Sequence, residues 1–92
     1  MARLHLTRHL FVFFPQLEGR ELVVNGNTAR EIVDGLDAVA PGIGLYVCDE
    51  RGRLRTHVNL FIDKQMVKDR RALTDPVGAD ADVHILQALS GG

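Results

Sequence analysis

Apolar residues along this chain follow two different periods, and the change from one to the other outlines the fold. Residues 4–14 place apolar side chains mostly at every second position, which predicts a strand, with Arg8 as the exception on the apolar face. Residues 15–19 form a predicted turn, and residues 20–25 predict a second strand. Because so short a gap is typical of a hairpin, the two strands are expected to pair antiparallel.

A helical period follows residue 27. Thr28 and Glu31 have the spacing of a capping box, in which the threonine hydroxyl accepts a hydrogen bond from the backbone N–H three residues on and the glutamate reaches back. Pro41 and Gly42 are expected to end the helix. One helix face collects the apolar positions Ile32, Val33, Leu36, Val39 and Ala40.

The second half of the chain predicts further short strands between polar turns. Their predicted bounds are residues 45–48, 54–62, 65–67 and 82–89. One amphipathic helix among several strands must bury its apolar face against a sheet. The first and last strands are strongly apolar and are expected to be parallel neighbours at the sheet centre. This arrangement is an α+β β-grasp, the ubiquitin-like fold, with one main helix packed on one face of a mixed sheet.

Length, composition and charge narrow the classes of function. The chain of 92 residues is expected to form one domain at residues 1–89, followed by a short flexible tail at residues 90–92. Its 46% hydrophobic content argues against disorder, and 11 basic against 12 acidic residues argue against nucleic-acid binding. The sequence contains no apolar run of about 18 residues, so no membrane span is predicted. With one cysteine and no visible secretory signal, the expected location is the cytoplasm.

Few side chains in the body of the protein suggest catalysis. The sequence has no glycine-rich phosphate loop, and Cys48 lies in an apolar segment beside acidic residues, which favours a structural thiol. The histidines lack the spacing of a metal pair and are interpreted as surface residues; they are His5, His9, His57 and His84. Two basic clusters are either solvated loops or docking patches for an acidic partner surface: Arg51, Arg53 and Arg55, and the run Lys68-Asp69-Arg70-Arg71.

The C-terminal residues are the strongest candidate site. Gly91 and Gly92 have no Cβ atom, so the chain end can pass through a channel that would exclude any side chain. A terminal carboxylate has a pKa of about 3.5 and is ionised, so a nucleophile can attack it only after activation, for example as an acyl-adenylate. Since this chain shows no means of binding ATP, it is expected to be a carrier or substrate and not an enzyme.

Three segments resemble the MoaD/ThiS-type sulfur-carrier family. Residues 26–28, with the apolar helix that follows, resemble the family's helix entry. Residues 55–63 are similar to a family strand and turn that contain Val-Asn followed by apolar residues. Residues 78–92 resemble its Gly-Asp-x-Val…Gly-Gly ending, although the family commonly has proline where Gln87 stands and its tight Gly-Asp pair is spread here over residues 78–82.

The resemblance implies a function and a set of partners. A partner related to ubiquitin-activating enzymes would adenylate the Gly92 carboxylate with ATP and Mg²⁺, and sulfur delivery would convert it to a thiocarboxylate. A biosynthetic enzyme for molybdopterin, the thiazole of thiamine, or cysteine would then take the sulfur. The chain itself would bind no cofactor. The implied site comprises Gly91 and Gly92, which undergo the chemistry, and Leu86, Leu89 and Ser90, which contact partners. The resemblance gives Leu86 the position of an exposed apolar docking residue, and the alternation along residues 82–89 supports this by placing Leu86 on the face opposite Val83 and Ile85.

Two other functions remain open at this point. A ubiquitin-like modifier would be joined to lysines of other proteins through the same Gly92 carboxylate. A non-catalytic β-grasp module would bind partners without any reaction at its C-terminus. The three hypotheses differ in what happens to Gly92, so they can be separated by the chemical state of that residue.

Overall fold

Five strands form one mixed sheet in residues 1–87, the part of the chain that the computed structural model describes. The strands are β1 (Ala2–Leu6), β2 (Leu22–Val24), β3 (Val58–Ile62), β4 (Gln65–Met66) and β5 (Asp82–Gln87). Their order across the sheet is β2-β1-β5-β3-β4. β1 and β5 are parallel, and the other three pairs are antiparallel. The predicted β-grasp, the antiparallel first pair and the parallel central pair are therefore confirmed.

The main helix begins where the capping box predicted. The helices are α1 (Arg8–Phe13), α2 (Ala29–Val39) and α3 (Ile43–Val47), and a short 3-10 turn covers Pro15–Leu17. The Thr28 Oγ1 accepts a hydrogen bond from the Glu31 backbone N–H at 3.2 Å. The Glu31 Oε1 reaches back to the backbone N–H of Asn27 at 2.7 Å. Two backbone donors at the start of α2 thus gain acceptors.

The apolar face of α2 is buried with one exception. Ile32, Val33, Leu36 and Ala40 all belong to the core, whereas Val39 is exposed. The prediction that Val39 is buried is wrong because each helical residue rotates by about 100°. At that rotation Val39, the last residue of α2, lies about 70° from the mean direction of the buried Ala29, Ile32, Val33 and Leu36, each of which lies within about 50° of it.

The prediction of one strand over residues 4–14 is wrong after Leu6. The chain turns at Thr7 and continues as α1, in which Leu10 is buried while Arg8 and Val12 are exposed. Leu6, Leu10 and Phe14 lie four residues apart, a spacing that suits both a strand face and a helix face. The exception at Arg8 was the sign that the strand had already ended.

Residues 45–47 form the end of helix α3 and not the predicted short strand, and only Cys48 is extended, paired with Leu54 in an isolated antiparallel bridge. In α3, Ile43 and Val47 are buried and Leu45 is exposed. The Asp37 Oδ1 fixes the start of α3 by accepting hydrogen bonds from the backbone N–H groups of Gly42 at 3.1 Å and Gly44 at 2.8 Å. A run of four apolar residues cannot distinguish a strand from a helix by period alone.

The later strands follow the predictions with shorter bounds. β3 begins only at Val58, because residues 55–58 form a turn in which the Val58 N–H donates to the Arg55 carbonyl. Asp63 and Lys64 both have positive φ in the tight turn before the edge strand β4, as the predicted turn and edge strand require. β5 is described to Gln87, so the predicted strand end at 88–89 and the tail at 90–92 lie outside the described residues.

The sheet has one buried face and one open face. The buried face carries Leu4, Leu60 and Ile85, which pack in the same core as α2. The open face carries the alternate residues, including His5 and Leu86. No helix within residues 1–87 is long and apolar enough to cross a membrane. The cytoplasmic location stays a prediction.

Candidate functional site

The central strand of the sheet leads directly toward the candidate site. β5 is hydrogen-bonded to β1 on one side and to β3 on the other, and its last described residue is Gln87. The predicted site residues Leu89, Ser90, Gly91 and Gly92 lie outside the described residues. The structure describes the end of β5, from which the C-terminal segment, residues 88–92, continues. We call this point the base of the C-terminal segment.

Thr7 holds the end of β5 in position. Its Oγ1 accepts a hydrogen bond from the Gln87 N–H at 2.9 Å and donates one to the Ile85 carbonyl at 3.3 Å. The Thr7 backbone N–H donates to the same Ile85 carbonyl at 3.1 Å. Thr7 lies where β1 ends and α1 begins, so two elements together fix the point from which residues 88–92 start.

Leu86 is exposed at the base of the C-terminal segment. It lies opposite Asn59 of β3 on the open face, and 41% of its surface is accessible. The edge strand adds the half-exposed Met66 to this face. The exposed position that the resemblance implied for Leu86 is thus observed, and its role in partner binding stays a prediction.

The other end of the open face is charged. Asp82 accepts hydrogen bonds from the Arg3 Nε at 3.0 Å and Nη2 at 3.2 Å, and its Oδ1 lies 3.0 Å from the His5 Nε2. The Arg3 and His5 contacts lower the pKa of Asp82 to about 2. The His5 ring stacks on His84, with centroids 4.5 Å apart. His5 therefore meets His84 across the two central strands, while His9, expected on the same strand as His5, lies in α1.

Sequence reasoning missed an apolar surface formed by α1 and α3. Val12 is 70% exposed and Leu45 is 61% exposed, while Phe13 lies against Tyr46 with ring centroids 4.9 Å apart. A hollow of about 250 Å³ between Leu45, Tyr46, Arg55 and Gln87 adjoins the base of the C-terminal segment. Because residues 8–14 and 45–48 were interpreted as strands, this surface had no counterpart in the sequence prediction.

Cys48 has the environment of a structural thiol. It is buried, and burial raises the pKa of the thiol more than the nearby Arg30 guanidinium lowers it. A raised pKa leaves less of the thiolate that nucleophilic chemistry requires. Residues 1–87 also contain no group of three His, Cys, Asp or Glu side chains placed to hold a metal ion.

Several solved structures share this fold along their whole length, although no protein-family model and no curated protein sequence matches the chain. CysO in the Amycolatopsis orientalis BexX/CysO complex is 20% identical, with a TM-score of 0.84 and full coverage of both chains. Mycobacterium tuberculosis CysO is 22% identical, with a TM-score of 0.82, over 97% of this chain and 100% of that one. The small archaeal modifier protein SAMP1 of Haloferax volcanii is 20% identical, with a TM-score of 0.72, over 99% and 98%. These likenesses confirm, as a matter of fold, the resemblance to ubiquitin-like β-grasp proteins.

Proposed function

We propose that this chain carries sulfur on its C-terminal glycine. A partner adenylates the Gly92 carboxylate, sulfur delivery converts it to a thiocarboxylate, and a biosynthetic enzyme takes the sulfur. The observation that carries the proposal is the position of β5. The strand that continues toward Gly91 and Gly92 is the central one, hydrogen-bonded on both sides and held at Gln87 by Thr7. A rigid body therefore presents the origin of the last five residues.

The activation chemistry explains why the reactive group needs a partner. A carboxylate oxygen of Gly92 attacks the α-phosphorus of ATP, pyrophosphate leaves, and an acyl-adenylate forms, with Mg²⁺ in the partner balancing the phosphate charge. Sulfide attack on the acyl carbon then releases AMP and gives the thiocarboxylate. Attack by a persulfide gives an acyl disulfide, which a thiol must reduce. The chain is thus the substrate of the reaction, and the partner is the catalyst.

The surface around the base of the segment suits recognition by such partners. Leu86 on the open face and Leu45 on α3, which lines one hollow with Gln87, offer exposed apolar side chains near the end of β5. Exposed apolar side chains of this size often mark interaction sites. The complex of CysO with BexX supports the view that a protein of this fold binds a protein partner.

Reconstitution with the activating enzyme of the source organism tests the proposal. The wild-type chain is expected to support ATP-dependent pyrophosphate release, and Gly92→Ala is expected to abolish it because the added methyl group blocks passage into the active site. Gly78→Ala is a matched control, since a Cβ atom at Gly78 meets no atom within 4 Å. Equal activity of Gly92→Ala and Gly78→Ala would contradict the proposal.

The acceptor pathway is identified by a second assay. A chain bearing the thiocarboxylate is incubated with the molybdopterin-forming, thiazole-forming and cysteine-forming enzymes of the same organism. The true acceptor is expected to return the chain to the carboxylate form while its own product gains one sulfur atom. Sulfur transfer to none of the three would contradict this set of pathways.

Conjugation to other proteins is the second candidate function. It is favoured by the likeness to small archaeal modifier protein 1, whose name describes a protein modifier. Modification of this kind leaves residues 72–92 as a remnant on lysines of target proteins after trypsin, whose last site is Arg71, and a Gly-Gly remnant only where a protease cleaves between Ser90 and Gly91. Mass spectrometry of the source organism is expected to find such remnants only if this second function operates.

A further inference from the structure

Positive charge is concentrated in one segment of the chain. Residues 51–71 contain seven lysines and arginines and two acidic residues, a formal charge of +5 in a chain whose net charge is −1. Four of these arginines line one open hollow of about 360 Å³: Arg53, Arg55, Arg70 and Arg71. Asp49 is the one acidic residue among its lining side chains.

Arg70 is fixed by neutral acceptors. Its Nη2 donates hydrogen bonds to the carbonyls of Arg55 and Val58, both at 2.8 Å, and its Nη1 donates to the Asn59 Oδ1 at 3.3 Å. These acceptors hold the guanidinium in place but do not neutralise it. The half-buried charge of Arg70 is therefore preorganised at the wall of the hollow.

Arg53 and Arg55 are also held in place. The Arg53 Nε donates to the Asp49 Oδ2 at 3.2 Å, and the Arg55 Nε donates to the Leu45 carbonyl at 2.8 Å. Although burial alone would raise the pKa of Asp49, hydrogen bonds from the backbone N–H groups of Arg53 and Arg51 lower it. Asp49 thus stays ionised and offsets one arginine of the hollow.

The remaining arginines of the hollow have no counter-charge within residues 1–87. Among those residues, no carboxylate oxygen lies within 4.0 Å of a side-chain nitrogen of Arg55, Arg70 or Arg71. Three positive charges at one surface attract an anion and accelerate its approach, most strongly at low salt. The hollow therefore has the electrostatics of an anion-recognition surface.

The position of the hollow relates it to the C-terminal segment. Arg55 lines this basic hollow and also the smaller hollow that contains Gln87, the last described residue of β5. A protein that handles residues 88–92 must lie close to Gln87. Any such protein therefore also lies close to Arg55 and the surface around it.

We propose that this basic hollow docks an acidic segment of the partner that acts on Gly92. The proposal rests on the proposed function for the identity of that partner. The charges are spread over an open hollow, which suits several carboxylates along a peptide. A single phosphate group would lie near the ionised Asp49, which disfavours a compact phosphate site. Glutamate or aspartate side chains of the partner would pair with Arg55, Arg70 and Arg71.

A peptide titration tests the hollow without any partner. A hexaglutamate peptide is added to the isotope-labelled full chain at low salt, and NMR shifts of the Arg53 and Arg70 side chains, which line the hollow and are retained in every variant, are followed. We expect saturable shifts that Arg55→Gln/Arg71→Gln weakens by about tenfold. The control Arg20→Gln/Lys64→Gln removes the same charge from exposed residues outside the hollow and is expected to bind like wild type.

Four outcomes of the titration would overturn the proposal. Absence of peptide binding would show that the hollow does not bind acidic segments, and equal weakening by both double variants would show that only net charge matters. Inorganic phosphate that saturates the same resonances at lower concentration would identify a small-anion site instead. Tighter peptide binding by a chain truncated after Gln87 would indicate that the chain's own C-terminal carboxylate occupies the hollow.

An activation assay links the hollow to the partner. With the activating enzyme, Arg55→Gln/Arg71→Gln is expected to raise KM for the chain about tenfold with little change in kcat, and added salt is expected to reduce the difference from wild type. An unchanged KM with normal turnover overturns the docking proposal and leaves the sulfur-carrier function intact. If the wild-type chain is not adenylated, the proposed function fails, and the peptide titration still decides whether the hollow binds acidic segments.

Discussion

Alternate residues of β5 have opposite environments, and the contrast separates stability from recognition. Val83 and Ile85 form the inner set and are 0% exposed in the core beneath the sheet. Leu86 belongs to the outer set and is 41% exposed on the open face. The two sets alternate along one strand, so a shift of one residue in the pairing register of β5 would exchange the buried and exposed faces. Substitutions on the inner set should affect folding, and substitutions on the outer set should affect partners.

The largest expected effect is on the inner set. Ile85→Ala removes a fully buried side chain and is expected to lower the free energy of unfolding by about 3 kcal/mol through lost burial and a cavity. Leu86→Ala is the matched control and is expected to cost less than about 1 kcal/mol, because Leu86 is already partly exposed. Urea unfolding measures both, and similar losses in the two variants would contradict the comparison.

The next effect is on the outer set. Leu86→Asp places a charge on the exposed apolar surface and is expected to raise KM for activation by about tenfold while leaving the melting temperature nearly unchanged. The reason is that a partner covering Leu86 must bury the new carboxylate. Steady-state kinetics with the activating enzyme, together with thermal unfolding, measure this. A normal KM would remove Leu86 from the docking surface.

A smaller effect concerns the charged end of the open face. The pKa of Asp82 is held at about 2 by Arg3 and His5, whereas an unfolded aspartate has a pKa of about 3.9. Its carboxylate therefore stabilises the fold above about pH 4, and this contribution is lost as the pH falls through about 2. Asp82→Asn should reduce the urea midpoint at pH 7 more than at pH 2, and the exposed Asp80→Asn should change it at neither. Equal reductions by Asp82→Asn at both pH values would contradict this account.

The smallest expected effect is that of removing the last two residues. Deletion of Gly91 and Gly92 should leave the melting temperature unchanged within about 1 °C, because glycine contributes no side chain to the core. The same deletion should abolish activation. Thermal unfolding of the truncated and full chains decides the first point. A marked loss of stability would show that the C-terminus packs against the body of the protein.

The parts of the fold that the sequence predicted are those where one period is unambiguous. α2 was identified because Thr28 and Glu31 mark its start and because Ile32, Val33 and Leu36 fit only a helix. α1 and α3 were misassigned because the buried pairs Leu10 and Phe14, in and just after α1, and Ile43 and Val47, in α3, lie four apart, which fits either period in a short segment. Apart from the polar Arg8, the feature that distinguishes the two is the exposure of Val12 and Leu45, and exposure depends on tertiary packing.

The candidate site was predicted in a similar, partial way. The exposed position of Leu86 followed from alternation along β5 and from the resemblance, and both agree with the structure. The stacking of His5 on His84 was not predicted because it depends on the register between β1 and β5. The basic hollow needed the folded loops as well, since Arg55 and Arg70 are 15 residues apart in sequence and are joined by one hydrogen bond, from the Arg70 side chain to the Arg55 carbonyl.

The chemical state of Gly92 in the source organism tests the central claim most directly. Tryptic cleavage after Arg71 gives the peptide 72–92, which lacks Met1, Met66 and Cys48, so oxidation of those residues cannot imitate the mass change. A sulfur carrier is expected to yield a fraction of this peptide heavier by the difference between one sulfur and one oxygen atom, with the change localised to Gly92 by fragmentation. If the peptide carries only an unmodified carboxylate while the activating enzyme and its sulfur source are active, the chain is not a sulfur carrier.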